Sequence, residues 1–132
     1  MALEEYKEFN DPVREFVHEI FPELVWDMVP FPFLYDLYCS WYRKNVGGRD
    51  VISRKSFMKP LLLIVEDLPE WECLDKSKTW SPVGKMDWAE PLIAEYNLVE
   101  WMNPLYLSST DVNKKCIPKL KNNYRGIIRV KS

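Results

Sequence analysis

The chain has 132 residues, 47% of them apolar and 29% charged. That suits one domain with a sizeable core and excludes a chain that stays disordered. Net charge is −2, and no apolar run approaches the ~20 residues that span a bilayer. The acidic start MALEEYKEF lacks the basic, apolar and small-residue layout of a secretory signal, so a cytoplasmic domain without membrane contact is expected.

Cys39, Cys73 and Cys116 are far apart and odd in number, which argues against a disulfide framework. His18 is the single histidine, too few to complete a zinc ligand set. The expectation is therefore free thiols, no metal and no cofactor.

Charge is arranged in blocks. Residues 1–36 carry net −7, residues 37–65 net +5, residues 66–112 net −7 and residues 113–132 net +7. A fold that brings the two basic blocks together makes a cationic face suited to phosphate backbones. The other reading pairs the basic blocks with the acidic ones as solvated ion pairs.

In chain order, residues 1–11 read as a polar lead-in. Asn10 or Asp11 then caps a first helix, with Pro12 at its first position. Val13, Phe16, Val17 and Ile20 make one apolar face. Residues 22–32, with three prolines, read as a loop with a short turn at 24–28. A second helix over 32–45 carries Leu34, Leu37, Tyr38, Trp41 and Tyr42 as a broad stripe, and Gly47-Gly48 ends it. Ser53 caps a third helix with Phe57, Leu61 and Ile64 on one side. Pro60 should kink or end that helix, in which case LLLIV becomes a buried strand; the helix is preferred. Residues 71–80 read as a strand, 81–84 as a turn, 88–101 as holding a short helix with Pro91 near its start, 105–123 as a loop and 124–131 as a closing strand. Trp80, Trp88 and Trp101 lie in the irregular stretch, where they form a satellite core or a partner surface.

Three helices followed by two late strands give an α+β, mainly α class: a winged helix-turn-helix over 12–132, with a small β wing and an insertion at about 81–123. In that plan the third helix meets the DNA major groove through its N-terminal turns. Ser53, Arg54, Lys55, Ser56 and Lys59 stand there, with Phe57 turned inward. Arg suits guanine edges, whereas Ser and Lys suit phosphates. Lys114, Lys115, Lys119 and Lys121, with Arg125, Arg129 and Lys131 of the closing strand, are the further candidates. Tyr35, Tyr38, Trp41 and Tyr42 are read as core. No catalytic residues are expected. No phosphate-cradling glycine loop is present, the single histidine argues against a nucleophile–base pair, and Asp87, Glu90 and Glu95 read as a solvated face.

The stretches FLYDLYCSWYRKN and VISRKSFMKPL resemble the C-terminal winged-helix domain of phage and plasmid primase–helicases of the poxvirus type, through Tyr35, Tyr38, Trp41, Ser53, Arg54, Lys55 and Phe57. EEYKEFNDPVREFVHEI resembles the linker after the helicase core, and MDWAEPLIAEYNLVEWMNPLY with NNYRGIIRV resembles a tail of phage members. The resemblance implies that primase and ATPase chemistry lie in upstream domains. This chain would then be non-enzymatic and would place the helicase on its template DNA, in the bacterial cytoplasm if phage-encoded. The other reading is a protein–protein module that contacts the helicase core or another replication protein through the acidic blocks and the Trp-rich insertion.

Overall fold

The computed structural model describes residues 11–47, 50–73 and 79–130. The lead-in 1–10, Gly48, Arg49, residues 74–78, Lys131 and Ser132 lie outside the described residues. The elements run α1 (Pro12–Ile20), β1 (Met28–Pro30), α2 (Phe31–Asn45), α3 (Arg54–Glu66), β2 (Trp71–Cys73), α4 (Leu92–Glu95), α5 (Val112–Lys115) and β3 (Gly126–Arg129). Short 3-10 turns occupy Phe21–Glu23, Val99–Trp101 and Pro104–Tyr106. The class is α+β, as the sequence implied.

The Asp11 carboxylate accepts from the Arg14 amide at 3.2 Å and caps α1. The apolar face of α1 is buried, and Phe16 meets Tyr38, Trp41 and Phe57 edge-on at 5.3, 5.6 and 6.2 Å. Tyr38 stacks on Phe57 at 4.7 Å, joining α2 to α3. Tyr38 and Trp41 are thus core, while Tyr35 and Tyr42 are half-buried at its rim. Helix α2 ends at Asn45, and Gly47 (φ +69°) takes the left-handed conformation behind it. Pro60 neither kinks α3 to a stop nor turns LLLIV into a strand. It removes one backbone hydrogen bond, a cost of about 3 kcal/mol. Burial of Phe57, Leu61, Ile64 and Val65 around it offsets that loss.

The stretch read as a loop with a turn holds a strand. β1, β3 and β2 form one antiparallel sheet in the order β1-β3-β2, with Val29 opposite Ile127 and Glu72 opposite Ile128. β1 and β2 are shorter than any alternation reveals, and pairing with β3 across about a hundred residues makes β1 a strand. Of the strand expected over 71–80, Trp71–Cys73 forms β2, residues 74–78 lie outside the described residues, and Trp80 makes an isolated bridge to Tyr124. Gly126 faces Pro30, and a Cβ there would collide with the Val29 carbonyl oxygen and approach the Pro30 Cα to 2.8 Å. Both obstacles are backbone and cannot rotate away. Gly126→Ala is expected to destabilise by about 3 kcal/mol, the upper end for overpacking, because the β1–β3 ladder must part. A denaturant titration with an unchanged midpoint would refute this.

The described part of the segment between β2 and β3 packs onto the same core as the helices and the sheet. The short helix expected within 88–101 is α4, followed by a 3-10 turn, and the expected loop 105–123 holds α5. Met86, Ile93 and Cys116 are fully buried there. Two tryptophans exchange hydrogen bonds with the opposite backbone: Trp26 Nε1 donates to Trp88 O at 2.7 Å and Trp88 Nε1 to Val25 O at 2.8 Å. Ser40 Oγ donates to Tyr96 O at 2.6 Å and Trp101 Nε1 to Asp36 Oδ2 at 2.8 Å. Trp88 and Trp101 therefore tie the insertion to the main core rather than to a satellite one.

Glu90 is not on a solvated face but completely buried. Its carboxylate accepts from the Val25 amide at 2.9 Å and the Leu92 amide at 3.3 Å. Burial pushes its carboxyl above the usual carboxylate range, against the backbone amides of Val25, Leu92 and Trp26 and the charge of Arg129. The folded state thus binds this proton more tightly than the unfolded chain does. Its contribution to stability is full below the ordinary value of 4.5 and is lost as pH rises through the folded value. Melting curves from pH 4.5 upward should show this slope, and Glu90→Gln should flatten it whatever its absolute stability. Equal slopes in both proteins would refute the assignment.

Candidate functional site

Helix α3 starts on Ser53, whose hydroxyl accepts from the Ser56 amide at 3.2 Å and donates to Ser56 Oγ at 3.1 Å. Both serines therefore serve the helix start. That cap fixes the first turn so that Phe57 points inward, fully buried, while Arg54, Lys55 and Lys59 stand exposed.

Two recesses adjoin this turn. One, of about 730 Å³, is lined by Arg54, Lys55 and Lys59 with Met58, Leu62 and Leu63 on α3, and by Cys73 and Arg125 on the sheet side. The other, of about 520 Å³, lies between α2, α3 and the insertion, with Asp36, Arg54, Trp101, Lys119, Lys121 and Arg125 among its walls. Arg54 and Arg125 line both. Six exposed cations, Arg54, Lys55, Lys59, Lys119, Lys121 and Arg125, thus share one continuous concave strip. None of the six forms an ion pair among the described residues. Two basic blocks separated by an acidic stretch in sequence meet here because β3 returns beside the N-terminal half of the fold.

The other candidates lie elsewhere. Lys114 stands over the Tyr106 ring at 5.8 Å, and neither it nor Lys115 lines the strip. Arg129 is engaged in the packing. Its guanidinium donates to Leu24 O at 2.7 Å and Trp26 O at 3.1 Å, pairs with Asp27 at 3.3 Å and covers Trp71 at 4.4 Å. It ties β3 to the segment before β1, on the side of a separate recess formed with α1. Lys131 is outside the described residues. Sequence reasoning missed Asp36, Trp101, Asn123 and Tyr124 in the insertion-side recess. They come from separate segments, so no local spacing announces them.

Cys116 is fully buried and Cys39 is half-buried; burial raises both thiols above the ordinary value. Among the described residues, no three or more His, Cys, Asp or Glu side chains converge as metal ligands, and no helix is long and apolar enough to cross a membrane.

Comparison with known families gives one match. A family described as Poxvirus D5 protein-like matches residues 8–87. The chain belongs to that family. The matched segment contains both stretches that carried the resemblance to poxvirus-type primase–helicases, and runs from before α1 through β2 into the insertion. This family context is that of replication-related primase–helicases. No curated protein and no solved structure matches the chain.

Proposed function

We propose that this chain is a winged-helix DNA-binding module that positions a poxvirus-type replicative primase–helicase on its template. The carrying observation is the shared placement of Arg54 and Arg125, which joins the cations of α3 to those before β3 in one strip that has no ion pair among the described residues. Helices α1, α2 and α3, a small antiparallel sheet and an exposed, basic N-terminal turn on α3 support the winged-helix reading. Lys55 and Lys59 take phosphates, Arg54 takes a base edge or phosphate, and Arg125, Lys119 and Lys121 hold the backbone on the insertion side. The chain itself catalyses nothing in this reading; primase and ATPase chemistry belong to other domains of the parent protein. Its place of action is the cytoplasm where the template is copied.

Six neutralised phosphates predict a log–log salt slope of about −5 on DNA that occupies the whole strip. Fluorescence anisotropy of the chain with labelled duplex and single-stranded DNA over a salt series tests this. Absence of binding at low salt would overturn it. The second reading, a docking module for another replication protein, has its own support. Val99, Leu105 and Leu107 of the insertion are 52%, 83% and 48% exposed, with Tyr106 among them.

A further inference from the structure

The two halves of the basic strip differ in one chemical respect. The recess on α3 has cations and apolar side chains and no acid among its described lining residues. The recess on the insertion side has cations together with Asp36 and Glu100. Carboxylates repel phosphates, so they are misplaced in a groove that only tracks a DNA backbone. They are well placed to accept hydrogen bonds from the amino groups of nucleobases.

The rest of that recess fits the same ligand. Its volume of about 520 Å³ lies in the range of pockets for a small organic molecule, which is room for one nucleotide and not for a duplex. Trp101 is half-buried and held in place by Asp36 at 2.8 Å and by the edge of Phe33 at 5.1 Å. Tyr124 is fixed beside it at 6.2 Å, and its hydroxyl accepts from the Lys121 amide at 3.0 Å. The aromatic wall is therefore rigid before any ligand arrives. Lys119, Lys121 and Arg125 stand around it for the flanking phosphates. Asp36 spends one oxygen on Trp101, whereas the exposed Glu100 carboxylate has no hydrogen-bond partner among the described residues.

We infer that the recess between Asp36, Glu100, Trp101 and Tyr124 seats one unpaired nucleotide whose base carries an exocyclic amino group, on a single strand that continues from a duplex held at α3. The inference rests on the DNA-binding reading above. Cytosine, adenine and guanine offer such a group to a carboxylate, and thymine does not. The base lies against Trp101, its amino group points at Glu100, and Arg54 and Arg125 mark the passage from the duplex half to the single-strand half.

The test uses the full chain and three labelled DNAs: a blunt duplex, the same duplex with a dC arm, and the same duplex with a dT arm. The dC arm should tighten binding about tenfold over the blunt duplex, the scale of one base–aromatic stack. The dT arm should gain less, and Glu100→Gln should narrow the dC/dT difference. Lys119→Ala with Lys121→Ala should cut the gain from either arm more than it cuts blunt-duplex affinity. Duplex binding with no gain from an arm, or with equal gains from both, overturns the nucleotide pocket and leaves the DNA-binding reading standing. No binding to any of the three overturns the DNA-binding reading, and the pocket with it.

Discussion

Replacing Arg54 and Arg125 together by Ala will weaken duplex binding about 100-fold at low salt. It will also reduce the steepness of the salt dependence by about two units. Each guanidinium makes charge-assisted hydrogen bonds to phosphate or a base edge, worth about 1.5–3 kcal/mol apiece. Two such losses correspond to at least two orders of magnitude in affinity. Each removed phosphate contact also takes about 0.9 from the salt slope. The pair is chosen because these residues line both recesses, so their loss splits the strip rather than trimming one end. Lys59→Ala, at one end of the strip, should cost a single contact and about one unit of slope. Folding should survive the double change, since both side chains are exposed and neither is ion-paired among the described residues. Equal affinity of the double variant and the parent, at equal melting temperature, would show that DNA does not use this strip. Arg129→Ala gives the contrast. Its loss breaks hydrogen bonds to Leu24 O and Trp26 O, so its first effect is on stability.

The sequence carried α1, α2 and α3 because each is long enough for its apolar face to repeat, and because Asp11 and Ser53 mark two starts chemically. It did not carry β1. Three residues ending in proline have no period to read, and only β3 turns them into a strand. The position of Glu90 was hidden for a related reason. Its spacing from Asp87 and Glu95 looks like a solvated face, and the amide that holds it belongs to Val25, 65 residues away. At the site, the charge blocks identified which segments supply cations but not which cations are free. Arg125 and Arg129 stand in the same block, yet one lines the strip and the other is bonded into the packing around Trp71. Burial and pairing are tertiary properties, and net charge is blind to them. The same limit applies to Trp101, whose partners Asp36, Phe33 and Tyr124 come from both ends of the chain.

Trp41→Ala will cost about 3–5 kcal/mol of folding stability, the range for deleting a large aromatic side chain from a core. Trp41 is 2% exposed and sits where α1 and α2 meet. It is stacked near Tyr38 at 6.0 Å and meets Phe16 at 5.6 Å. Its indole N–H donates to the Glu19 carboxylate on α1. Truncation leaves a cavity lined by rings that cannot close in, because Phe16, Tyr38 and Phe57 also hold one another. It also leaves Glu19 without this donor, which adds to the loss. A domain of this size has about 5–15 kcal/mol in total, so the variant is expected to be largely unfolded at elevated temperature. Trp41→Phe separates the two contributions: it keeps part of the aromatic contact and removes the hydrogen bond, and should lose about half as much. Chemical denaturation of the three proteins reads the effect directly. A midpoint for Trp41→Ala within error of the parent would mean that this ring is not holding α1 to α2. The aromatic stripe of α2 would then be open to a ligand.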